Sequence, residues 1–133
     1  MNKLLIIFLL IPLLFINIPP YIELNNLAII EEIGIKQNKE NYTLYLKEII
    51  PIKEDNSIEY EYKYYESTNK NIKSCLKEIS KTTKKTIYLN KVKTIYTNKN
   101  ININININIK KELGIKPNSI KLTNKDIKSL LKN

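Results

Sequence analysis

The 133-residue chain contains no histidine, no arginine and no tryptophan, and it has one cysteine, two glycines and a single alanine, Ala28. Each scarcity excludes something. Without histidine there is no imidazole for general acid–base work or for most zinc sites, and two glycines cannot build a phosphate-cradling loop. A lone Cys75 cannot close an internal disulfide, so the fold must stand on its core alone. Arginine supplies the bidentate fork of dedicated phosphate and base recognition. Its absence argues against nucleic acid as a partner, even though the net charge is +9 and the pI about 9.5. All of the positive side-chain charge is lysine, and the chain is rich in Ile, Asn, Lys and Tyr. These residues have A/T-rich codons, the usage of a low-GC bacterium, so the lysine excess says little about a ligand. No constellation for catalysis, cofactor binding or metal binding is visible. The sequence is read as a non-enzyme, with no catalytic, cofactor or metal residues to assign.

What is present begins with a targeting pattern. Met1-Asn2-Lys3 precedes Leu4 to Ile18, an apolar run broken only by Asn17. A short positive start followed by such a run marks a signal sequence or membrane anchor over residues 1–20. No lysine occurs between Leu4 and Ile35, which matches a cytoplasmic N-terminus and a translocated body. The small-x-small cleavage signature is missing around Ile16 to Tyr21, favouring an uncleaved anchor.

The body is expected to be α+β, a small mixed or antiparallel sheet with one or two packed amphipathic helices behind the hydrophobic anchor helix. Its seed is Glu23 to Ile52. Leu27-Ala28-Ile29-Ile30 with Ile33-Gly34-Ile35 forms one apolar run, Lys36 to Asn41 a polar break, and Tyr42 to Ile52 a second run: a β-hairpin. Leu27, Ile30 and Glu31 also fit helical spacing, and the following turn decides for strand. Pro51 should end the second strand or confine it to an edge. Ile58, Tyr60, Tyr62 and Tyr64 alternate with Glu59, Glu61 and Lys63, predicting a third strand whose tyrosine row faces a core or a partner. Glu59, Glu61 and Glu66 are a conceivable acid–base group but fit better as solvated carboxylates.

At Asn71 the period changes. Ile72, Cys75, Leu76 and Ile79 predict an amphipathic helix to about Thr83, capped by Ser67, Thr68 or Asn69, with Cys75 as a buried small hydrophobe. Thr86 to Thr97 is expected to be one further strand. The Ile-Asn repeat of residues 100–109 has strand alternation with a poorly specified register. Thr123 as N-cap, with a Leu122–Ile127 staple, predicts a last helix over Asn124 to Leu131, whose lysines suit either solvent or anionic lipid head groups.

Leu-Ala-Ile-Ile (27 to 30), Ile-Gly-Ile (33 to 35), Tyr-Thr-Leu-Tyr-Leu (42 to 46), Pro51 and the later Ile-Tyr-Leu-Asn-Lys-Val-Lys (87 to 93) occur in an order that resembles the N-terminal domain of Ger(x)C-type spore germination proteins, the C subunits of nutrient-germinant receptors. The resemblance spans about Tyr21 to Tyr96 and divides the chain into residues 1–20, a domain at 21–98 and a tail at 99–133. It implies a non-catalytic, membrane-associated extracytoplasmic subunit at the spore inner membrane. Such a subunit acts through contacts with integral membrane receptor subunits, and its own membrane contact runs through the N-terminal segment. The chain departs from that family where Lys36 replaces a frequent aspartate, where Lys91 replaces a frequent histidine, and in having no lipidation cysteine after its apolar run. The alternative is a small secreted or surface-anchored Lys-rich protein that binds anionic membrane or polymer.

Overall fold

The computed structural model describes residues 23–98, 111–115 and 119–133. The apolar N-terminal segment and the Ile-Asn repeat lie outside them. After a single 3-10 turn at Leu24–Asn26, the chain forms β1 (Leu27–Asn38), β2 (Asn41–Glu54) and β3 (Ser57–Asn69). Helix α1 (Ile72–Thr83), β4 (Thr86–Tyr88), β5 (Thr94–Asn98), β6 (Ser119–Thr123) and helix α2 (Ile127–Lys132) follow. The sheet has the order β3-β2-β1-β5-β6, antiparallel among its first three strands and parallel from β1 to β6, with β4 also parallel to β1. The expected α+β mixed sheet is present.

The ambiguity between helix and strand in β1 has a physical origin. The register with β2 slips between Ile30 and Glu32, where Glu31 is an extra residue. A bulge of this kind resets the two-residue alternation. Ala28 and Ile30 before it, and Ile33 and Ile35 after it, therefore enter the same core, all fully buried. The inward residues follow the spacing two, three, two, which half resembles a helix. Glu31 is held by Lys93, whose backbone N–H donates to the Glu31 carbonyl at 2.8 Å and whose Nζ lies 2.7 Å from Oε1.

The same irregularity interrupts the partner on the other side. Thr86 to Thr97 is not one strand: β4 pairs with Leu27–Ile29, β5 pairs with Glu32–Ile35, and Leu89–Lys93 loops out between them. A continuous strand would turn Val92 to the face opposite Ile87 and Leu89; the loop instead buries it in the core against which those two half-buried residues pack.

Helix α1 covers one face of the sheet with Ile72, Cys75 and Ile79, against Ile33, Ile35, Leu44, Leu46 and Ile95. Its cap is Asn71, whose side chain accepts from Ser74 N at 2.8 Å. The expected capping residues Ser67 and Asn69 instead donate to Glu78 at 2.6 and 3.3 Å, tying the helix to β3. Cys75 is fully buried, its thiol pushed up by burial, as expected of a core residue. Beside the end of this helix Glu48, 2% exposed, accepts from Lys85 Nζ at 2.6 Å and from the Tyr65 hydroxyl. The carboxylate is thus paired at both oxygens. Thr97 Oγ1 is the one buried side-chain polar atom without a partner among the described residues.

The opposite face carries α2. Ile127 and Leu131 pack on Tyr45 with Tyr96 alongside, and they can approach because position 34 is glycine. A methyl group there would lie 2.2 Å from Ile127 Cγ2 and 3.2 Å from Leu131 Cδ1. The helix is shorter than expected and is capped by Asp126, which accepts from Ser129 N at 3.2 Å; Thr123 accepts from Lys125 N instead. Leu122 is exposed in β6, a strand absent from the sequence reading, and does not staple the helix.

Three outcomes follow for stability. Gly34→Ala should cost about 1–3 kcal/mol through overpacking under α2, read as a lowered midpoint in thermal or urea unfolding. Lys85→Met should cost roughly 2 kcal/mol, less than for a fully buried pair because Lys85 is a quarter exposed, whereas Glu48→Leu with Lys85→Met should recover most of the loss. Burial raises the phenols of Tyr45, Tyr65 and Tyr96, with Glu66, Glu48 and Glu32 respectively adding to it. A raised folded-state value means stability that is complete below the ordinary tyrosine value of 10.0 and is lost as pH rises through the folded values. Phenolate absorbance should therefore show these three tyrosines titrating late, together with alkaline unfolding.

Candidate interaction surface

β2 and β3 are paired continuously from Tyr42↔Asn69 to Glu54↔Ser57, but β1 accompanies β2 only as far as Glu48. Beyond Glu48 the hairpin is a two-stranded ribbon running past the β1–β2 ladder. Pro51 sits within it. The proline was expected to end β2 or leave it as an edge, and the second outcome holds: no strand among the described residues pairs with it on β1's side, where Leu27 and Ile29 face it across a cleft, so its missing N–H breaks no ladder there.

The pleat sorts the ribbon's side chains. Tyr60, Tyr62 and Tyr64 lie opposite Pro51, Ile49 and Lys47 on the face that carries α2, and Ile58 continues their row. The helix comes no nearer than a cleft beside Tyr64, the inner end of the row. Ile58 is 63% exposed, Tyr60 54%, Tyr62 42% and Tyr64 40%, so the row faces solvent and not a core. Single exposed apolar residues are ordinary, but four in a row on an unshielded edge strand form a patch of the kind that marks contact sites. The row is anchored at its inner end. Lys47, paired with Glu32 at 3.1 Å, lies 4.6 Å from the centre of the Tyr62 ring, a cation–π contact that presents the ring in a fixed orientation. Burial lowers the Lys47 ammonium's proton affinity, but the hydrogen bond and charge of Glu32 outweigh it and leave it raised. Lys47 is therefore charged throughout the neutral range, with its charge matched by the Glu32 carboxylate.

The carboxylates do not assemble into acid–base machinery. Glu59 and Glu61 are exposed on the α1 side of β3, whereas Glu66 lies on the α2 side and pairs with Lys128 at 2.6 Å. Lys36, half-buried, follows the last β1 residue paired with β5, whereas the exposed Lys91 lies in the loop before β5. The two positions that depart from the resemblance thus do not form one site. Among the described residues no group of three metal-ligating side chains exists, and no helix is long and apolar enough to cross a membrane. Clefts adjoin the ribbon on several sides. One, of about 190 Å³, lies between β3 and α2 and is lined by Tyr45, Tyr64, Tyr65, Glu66 and Lys128; another, of about 180 Å³, separates Ile49, Ile50 and Pro51 from Leu24, Leu27 and Ile29; a third, of about 480 Å³, surrounds the Pro51–Ile58 turn. None of the three gathers an unpaired buried titratable group.

Sequence alternation identified the tyrosine row but not its exposure, because a strand's period does not say which of its faces a helix covers. The missing signal was the length mismatch: β2 and β3 are 14 and 13 residues, whereas β1 pairs with β2 only from Ile30 onward.

No curated protein and no solved structure matches the chain. A family model described as spore germination protein N-terminal domain matches residues 20–107. That span is about two thirds of the chain and includes β1 to β5, the α1 helix and the whole ribbon. On that match, the chain belongs to the spore germination protein N-terminal domain family, which ties it to germination.

Proposed function

We propose that the chain acts in germination as a non-catalytic, membrane-associated extracytoplasmic subunit that works through protein–protein contacts, with integral membrane germinant-receptor subunits as its partners. The observation that carries this reading is the exposed row Ile58, Tyr60, Tyr62 and Tyr64 on a projecting ribbon of a germination-family domain. Tyrosine suits such a role. It offers large apolar area with a hydroxyl for the rim and loses little rotamer freedom on contact. The membrane part of the reading rests on the apolar run Leu4 to Ile18 behind Lys3, and the absence of an enzyme role rests on the lack of histidine and of any convergent acid–base pair.

Spores of a host lacking the chain, complemented with the Tyr60→Ser/Tyr62→Ser variant, provide the test. These side chains are exposed, so the variant should fold and accumulate like the parent. Nutrient-triggered germination should be slowed, and co-purification with the receptor subunits weakened by about tenfold or more. Parental germination and unchanged co-purification would sink the reading.

A further inference from the structure

The tyrosine row describes one face of β3, but β3 also has a backbone edge, because it is the terminal strand of the sheet and no strand among the described residues pairs with its outer side. We infer that this edge pairs with the same edge of a second copy of the chain, antiparallel about a two-fold axis at Tyr62, joining the two sheets into one. The inference rests on the contact reading above and adds a second copy of the chain to its partners.

Charge selects the register. In a symmetric antiparallel pair the strand must oppose itself about one residue, because directly opposed positions alternate between two hydrogen-bonding types. About Tyr62, Glu61 faces the second copy's Lys63 and its symmetry mate repeats the pair, while Tyr60 faces Tyr64 and Tyr62 faces itself. No like charges are opposed. Centring on Tyr60 opposes Glu59 to Glu61; centring on Glu61 or on Lys63 sets that charge against itself; centring on Tyr64 forms no ion pair. Of the registers centred on residues 60 to 64, the Tyr62 register alone therefore has ion pairs without opposed like charges.

The side chains are free to be used this way. Glu59, Glu61 and Lys63 are exposed and, among the described residues, make no ion pair. On the other face, Tyr60, Tyr62 and Tyr64 of both copies would form one aromatic ladder, a pairing that stabilises antiparallel strands. An edge strand of 13 residues without proline is otherwise a template for uncontrolled pairing; a defined register converts it into a closed dimer.

The test uses the full chain in detergent micelles, with mass measured by sedimentation. The parent should be a dimer at micromolar concentration. Glu61→Lys and Lys63→Glu should each weaken it by roughly tenfold, since two attractive pairs become two repulsive ones, and the double reversal should restore it. On oxidation Tyr62→Cys should cross-link to itself. Tyr60→Cys should not, because the register separates the two Tyr60 positions by four residues, roughly 13 Å; Tyr60→Cys mixed with Tyr64→Cys should cross-link. Cys75 is fully buried and remains as the internal control. A monomeric parent overturns the inference, as does a dimer indifferent to both charge reversals, which would be held through another surface. Burial of Tyr60 and Tyr62 on anionic vesicles by monomeric protein also overturns it. Failure here with a germination defect in Tyr60→Ser/Tyr62→Ser leaves the contact reading standing; a stable dimer without that defect removes the contact reading instead.

Discussion

The structure depends on the extra residue in β1. A strand buried on one face must keep its inward positions in step with the sheet, and one additional residue would normally turn everything beyond it outward. Here the insertion at Glu31 is compensated by the sequence, which shifts its apolar residues by the same single position, and by Lys93, which holds Glu31 through both backbone and side chain. Three features meet at this point. β2 loses its paired strand beyond Glu48, the parallel partner breaks into β4 and β5, and the Glu48–Lys85–Tyr65 cluster pairs a fully buried carboxylate beside the discontinuity.

Function follows from what the discontinuity leaves uncovered. On the body side of Glu48 the sheet is covered on both faces, by α1 over Leu44 and Leu46 and by α2 over Gly34 and Tyr45. On the other side the hairpin continues with neither helix nor third strand among the described residues, and the alternation that packs half-buried Tyr65 against the core on the α1 side exposes Tyr62 and Tyr60 on the α2 side. Lys47 stands at the boundary. It is bound to Glu32 of the covered body and lies over the Tyr62 ring of the ribbon, coupling the position of the aromatic row to the rigid part of the domain.

Much of the fold was legible in the sequence where one periodicity ran uninterrupted. Ile72, Cys75 and Ile79 announced α1, Tyr42 to Leu46 announced β2, and the polar break at Lys36 to Asn41 announced the first turn. Legibility failed where tertiary context overrode local pattern. Leu89 to Lys93 lies between two stretches of strand pattern, yet it loops out beside the β1 bulge, with Leu89 and Val92 three apart and both turned to the core. Ser67 is a good capping residue, yet its hydroxyl is spent on Glu78 while Asn71 caps the helix. The strand β6 was hidden because Ser119 to Thr123 contains only two apolar residues and borrows its pairing from β5. The contact surface was half legible: alternation gave the tyrosine row, and only the pairing limits of β1 showed that nothing among the described residues covers it.

The central claim is that the β1 bulge divides the molecule into a covered body and an uncovered ribbon whose tyrosines are available for contact. Residue-resolved hydrogen exchange on the monomeric chain, at concentrations below any self-association, tests it most directly. Exchange reports local opening, which follows burial and coverage and not hydrogen bonding alone. The account predicts the slowest amides at Ile33 to Ile35 and in β5, with exchange from Ile49 to Tyr62 faster by orders of magnitude. Equal protection of the ribbon and the body in the monomer would contradict it, because the ribbon would then have to be covered by some other part of the chain.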